Sequence, residues 1–118
     1  MVWMPSPPLA PLDSPLDLDH LARMTLGDST LEHEVLAMFA EQSTRLIAAM
    51  SPLPADTAAL AHKLKGSARG IGAFAVADAA AGLEGAVRTG DDPLRALAVL
   101  KEAVTEARAA IETILQRS

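Results

Sequence analysis

The chain has 118 residues, half of them hydrophobic, and a formal net charge of −5. This length fits one domain with its own core, and the acidic balance argues against general nucleic-acid binding, which depends on a basic surface. The chain has no cysteine, which excludes disulfides, thiolate metal sites and cysteine nucleophiles. With no apolar run long enough to span a bilayer and no secretory signal, we expect a soluble cytoplasmic protein.

Residues 1–15 contain five prolines and predict a flexible lead without a helix. Residues 16–118 are expected to form a single helical domain, because alanine-rich aliphatic sequences favour helices over strands. A short first helix is predicted over residues 16–25. Its residues Leu18, Leu21 and Met24 are expected either to pack in the core or to face a partner.

The second helix is predicted to begin at Ser29, which forms a capping box with Glu32 three residues later. It should end at about Met50, where two prolines follow. Its predicted apolar stripe has helical spacing and contains Leu31, Val35, Met38, Gln42 and Leu46, widened by Leu36 and Phe39.

Three further helices complete the pattern. One should follow an N-cap at Asp56 and end between residues 70 and 72. The next should cover residues 74–89 with Gly90 as its C-terminal cap, and the last should start at Pro93 after Asp92. Long helices with short connections predict an all-α fold, an up-down-up-down four-helix bundle with a short extra N-terminal helix. We expect a monomer.

His62 lies on the outward side of the third helix, opposite an apolar stripe formed by Leu60, Leu64, Ser67 and Ile71. A neutral imidazole is nucleophilic through the nitrogen that lacks the proton. Lys65 and Arg69 lie where cations would neutralise a phosphoryl group on that nitrogen. Gly66, one turn on, leaves room for a large partner.

The same spacing is also typical of an ordinary solvated surface histidine. His20 and His33 show no ligand or triad spacing and are expected on the surface, and we expect no metal site in the chain. A bundle that binds a metal or cofactor in its core is disfavoured, because the predicted core positions are aliphatic. The sequence also lacks the Glu-x-x-His pairs that such a bundle would need.

A longer motif distinguishes a nucleophilic His62 from an ordinary surface histidine. Residues 62–68 read HKLKGSA and residues 72–73 read GA. This resembles the H-x-L-K-G-S-(S/A)-x-x-x-G-A signature of histidine-containing phosphotransfer (HPt) domains at every fixed position. The resemblance extends from about residue 16 to the end, and it implies a four-helix bundle with His62 as the phosphorylated residue.

The resemblance also implies an orienting residue on the next helix, 22 positions after the histidine, which is Glu84 in this chain. Such a carboxylate would accept the Nδ1 proton and leave Nε2 as the nucleophile. Alternatively, Glu84 and Arg88 form an ordinary exposed i,i+4 pair. Arg88 and Lys63 are expected to contact the phosphoryl group or the partner. Gly82 and Gly85 predict a close helix approach that brings Glu84 against His62.

The implied function is a phosphorelay shuttle between response-regulator receiver domains, one of which can belong to a hybrid histidine kinase. The chain itself needs no cofactor, because Mg²⁺ is expected in the receiver, and without a nucleotide-binding loop it is not a kinase. The basic residues around His62 suit an acidic receiver pocket. The alternative function is a non-catalytic docking module with the same fold, in which His62 is never phosphorylated.

Overall fold

A computed structural model describes residues 14–117, which form five helices and no strand. The helices are α1 (Leu18–Met24), α2 (Ser29–Met50), α3 (Thr57–Ile71), α4 (Phe74–Thr89) and α5 (Pro93–Arg117). Helices α2 and α4 each pack against both α3 and α5, and α1 packs against α3. The predicted four-helix bundle with a short N-terminal helix is therefore confirmed. The lead predicted for residues 1–15 lies outside the described residues, except for residues 14 and 15.

Most helix ends lie where the sequence predicts them. Helix α4 has the predicted bounds, and Gly90 caps it with a left-handed φ of 74°. Helix α5 begins at Pro93, where the Arg95 amide donates to Oδ1 of Asp92 at 3.2 Å. Asp56 is the residue before α3, as predicted, but its side chain makes no capping hydrogen bond.

The start of α2 differs from the prediction by one residue. Asp28 is the N-cap, and its Oδ1 accepts from the Leu31 amide at 3.1 Å. Ser29 is already helical, so the prediction that it is the N-cap of a capping box with Glu32 is wrong. An aspartate is as good a cap as a serine, and here it stands one position earlier.

The buried face of α2 also differs from the predicted stripe. Leu31 and Met38 are exposed, whereas Ser43 is buried, and its hydroxyl donates to the Ala40 carbonyl at 3.0 Å. Burying a hydroxyl that has a hydrogen-bond partner costs little free energy, so Ser43 can lie in the core beside the apolar residues of α2. The buried residues of α2 are Leu36, Phe39, Ser43, Leu46 and Met50.

The short connection between α3 and α4 holds the two helices side by side. Gly72 ends α3 with a φ of 86°, and its carbonyl accepts from the Asp17 amide at 2.9 Å. A Cβ at position 72 would lie 2.8 Å from the Asp17 carbonyl oxygen. Only glycine permits both this backbone conformation and this close approach. The contact ties the start of α1 to the end of the helix that carries His62.

Helix α1 is anchored by Leu21 and His20. Leu21 is buried in the core, so it does not belong to a docking surface, while Leu18 and Met24 are more than half exposed. The sequence predicted that His20 is an ordinary surface residue, but in the structure it is half-buried. Its Nε2 lies 3.2 Å from the Gly70 carbonyl oxygen, and its ring contacts Phe74 edge-on at a centroid distance of 5.2 Å.

Within residues 14–117, no helix has the length and apolar character that crossing a membrane requires.

Candidate functional site

His62 lies in the middle of α3 on its solvent-facing side, where 65% of its side chain is exposed. The opposite side of α3 is anchored in the core by Ala61, Leu64 and Ala68, which are fully buried. A Cβ added at Gly66 would meet no atom within 4 Å, so the surface one turn beyond His62 is open. The histidine is therefore accessible to a large partner.

Glu84 of α4 faces His62 across the interface between α3 and α4. Its Oε2 lies 3.2 Å from Nδ1 of His62, and only 9% of its side chain is exposed. The same carboxylate accepts a hydrogen bond from Lys65 Nζ at 3.0 Å on Oε1. Arg88, one turn along α4, forms an ion pair with Oε2 at 2.9 Å. One nearly buried carboxylate thus connects His62, Lys65 and Arg88.

These contacts keep Glu84 ionised. The hydrogen bond from Lys65 lowers the pKa of the Glu84 carboxyl below its ordinary value of 4.5, while burial acts in the opposite direction. The charges of Lys65, Arg88 and protonated His62 lower this pKa further. An ionised carboxylate only accepts hydrogen bonds, so the proton of the His62–Glu84 contact resides on Nδ1. In the neutral ring, the lone pair then belongs to Nε2.

The sequence-predicted residues fall into two groups in the structure. His62, Lys65 and Arg88 meet at the Glu84 carboxylate, although the spacing of Lys65 from His62 predicted that this lysine contacts a phosphoryl group. Lys63 and Arg69 are exposed on α3 and make no ion pair within residues 14–117. Sequence spacing did not predict the contact between Lys65 and Glu84, which depends on how α3 packs against α4.

The prediction that Gly82 and Gly85 allow a close approach between helices is wrong. Both residues are exposed, and a Cβ at either position would meet no atom within 4 Å. They line a groove between α4 and α5, away from His62. Glu84 reaches His62 because it lies on the buried side of α4 near Ala77 and Ala80, so no glycine contact is needed.

The arrangement suits nucleophilic chemistry at one nitrogen. Nδ1 is occupied by a hydrogen bond to a carboxylate, which would also stabilise positive charge on the ring during attack by Nε2. Exposed cations nearby suit an anionic group on the attacking nitrogen. Within the part of the chain that the structure describes, no three His, Cys, Asp or Glu side chains are grouped so that they could hold a metal ion.

A comparison with protein families matches residues 34–110 to the Hpt domain. The comparisons with curated proteins and with solved structures found no match. Hpt domains are intermediates of histidine phosphotransfer in phosphorelays; they interact with response-regulator receiver domains and have no kinase activity of their own. The matched region contains α3, α4 and the whole His62–Glu84 site. The chain therefore belongs to the Hpt domain family, as its sequence signature predicts.

Proposed function

We propose that His62 accepts a phosphoryl group from the aspartyl phosphate of one receiver domain and passes it to the aspartate of another. The observation that carries this proposal is the contact of Nδ1 with Glu84, which leaves Nε2 as the nucleophile on an exposed side chain. In the first step the Nε2 lone pair forms the N–P bond. The P–O bond to the aspartyl group breaks, and its electron pair returns to the carboxylate.

The other residues of the site serve docking and charge. Lys63 and Arg69 form a basic exposed edge on a chain with a net charge of −5, and they suit the acidic pocket of a receiver. Gly66 provides the open surface through which the receiver approaches His62. Mg²⁺ is supplied by the receiver, so this chain acts without a cofactor of its own. A cytoplasmic monomer fits these roles.

The test is transfer from a phosphorylated receiver domain in the presence of Mg²⁺. The expected product is phosphate on this chain that is labile in acid and stable in base. His62→Gln should abolish this phosphate label. His33 is a half-buried histidine on α2, and His33→Gln should keep the label. Label that survives His62→Gln would contradict the proposal.

The same experiment addresses the docking-module alternative. Receivers that bind the chain with measurable affinity, yet never transfer phosphate to it, would support a non-catalytic role. Transfer that depends on His62 would exclude that role.

A further inference from the structure

Lys65 and Arg88 contact the Glu84 carboxylate in different ways. Lys65 donates a hydrogen bond to Oε1, and only 18% of its side chain is exposed. Arg88 makes an ion pair with Oε2 without a hydrogen bond, and 66% of its side chain is exposed. Exposed i,i+4 ion pairs contribute little to stability, whereas removing a partner from a buried charge is costly. Arg88 is therefore the cation that Glu84 loses more easily.

Oε2 of Glu84 is shared by Arg88 and by Nδ1 of His62. When Nε2 bonds to phosphorus, its lone pair is used and the proton stays on Nδ1, so the ring becomes an imidazolium. A cationic donor makes a stronger hydrogen bond to Oε2 than a neutral one. The ring then supplies the positive charge that Arg88 provided before, while the phosphoryl group adds negative charge on the other side of the ring.

On the basis of the proposed function, we propose that phosphorylation of His62 moves the Arg88 guanidinium from Glu84 to the phosphoryl oxygens, while Lys65 stays on Glu84. A guanidinium has five N–H donors in a planar fork that fits phosphate oxygens. Arg69 is less suited, because it lies seven residues after His62, about 10 Å along the helix axis. Arg88 thus contacts the phosphoryl group, and Lys65 is a positioning residue in both states.

The experiment uses phosphoramidate, a small phosphoryl donor with a P–N bond, so that no receiver is needed. The guanidinium and ammonium NMR signals are recorded before and after phosphorylation, and ³¹P NMR reports the phosphohistidine. We expect the Arg88 Nε–H signal to shift on phosphorylation while the Lys65 ammonium signal stays in place. Arg45 is the matched control, because it forms an exposed i,i+4 pair with Glu41 at 3.0 Å on α2.

A functional measurement accompanies the spectra. With a receiver as partner, Arg88→Gln should lower the equilibrium ratio of phospho-His62 to phospho-receiver about three- to tenfold, and Arg45→Gln should leave it unchanged. An Arg88 signal that stays in place while the ³¹P signal of phosphohistidine is present would overturn the inference and leave the proposed function intact. A chain that takes no phosphoryl group from phosphoramidate would contradict the nucleophilic Nε2 on which both depend.

Discussion

Glu84 and His62 lie 22 positions apart in the chain, yet Oε2 of Glu84 is 3.2 Å from Nδ1 of His62. The carboxylate is nearly buried and the imidazole is largely exposed, so the fixed partner is Glu84. A rigid acceptor on one nitrogen determines which nitrogen remains free to react.

Removing the carboxylate should slow phosphotransfer without preventing it. We expect Glu84→Ala to lower the single-turnover rate of transfer from a phosphorylated receiver about 10- to 100-fold, as is typical when a partner that orients a histidine is lost. Glu84→Gln keeps an oxygen acceptor for Nδ1 but not the charge, and its rate should lie between the two. Rapid-quench labelling measures these rates. A wild-type rate in Glu84→Ala would show that the contact does not contribute.

Glu84 should also make stability depend on pH. Its folded-state pKa is lowered below 4.5, so at acidic pH the unfolded chain binds more protons than the folded chain. The stabilisation is present above pH 4.5 and is lost as the pH falls through the folded-state value. In urea unfolding, the advantage of the wild type over Glu84→Gln should therefore shrink from pH 7 to pH 3. An advantage of the wild type that is the same at pH 7 and at pH 3 would contradict the assignment to Glu84.

Gly66→Ala should separate folding from docking. The new methyl group meets no atom of the chain, so the helix should gain up to about 1 kcal/mol in stability. Transfer from a receiver should nevertheless fall about tenfold, the effect of roughly 1.4 kcal/mol of lost docking energy. Phosphorylation by phosphoramidate should not change.

Gly82→Ala is the control for this substitution, because Gly82 is also exposed and open but faces the groove between α4 and α5. It should stabilise the fold similarly and transfer at the wild-type rate. Equal transfer by the two variants would mean that the receiver does not approach over Gly66.

Gly72→Ala should destabilise the fold more than Gly90→Ala does. Both glycines have a left-handed φ, which costs an alanine on the order of 1 to 2 kcal/mol. Only at Gly72 would the Cβ also meet the Asp17 carbonyl oxygen, which should add about 1 to 3 kcal/mol. Chemical denaturation of the two variants measures the difference. Equal losses would show that the approach of Asp17 does not constrain this position.

The sequence predicted the helices better than their buried faces. Gly90 and Pro93 act on the backbone locally, so the end of α4 and the start of α5 could be predicted from them, and both boundaries lie where predicted. The buried face of α2 depends on which residues the neighbouring helices cover. Hydrophobic periodicity placed Leu36, Phe39 and Leu46 correctly in the core. It was wrong for Met38, which is apolar but exposed, and it missed Ser43, which is polar but buried with a satisfied hydroxyl.

The candidate site was predicted in part. Periodicity alone placed His62 outward, and the resemblance selected Glu84, since no local pattern identifies a partner 22 residues away. The contact of Lys65 with Glu84 was not predicted, because it depends on the packing of α3 against α4. The roles of His62, Lys65 and Glu84 in phosphotransfer stay predictions.

The central claim is that Glu84 holds the Nδ1 proton so that Nε2 takes the phosphoryl group. The most direct test is ¹⁵N and ³¹P NMR of the chain phosphorylated by a receiver, which identifies the ring nitrogen bonded to phosphorus. We predict a single phosphohistidine at His62, with phosphorus on Nε2 and a proton on Nδ1. Phosphorus on Nδ1, or on any other residue, would contradict it.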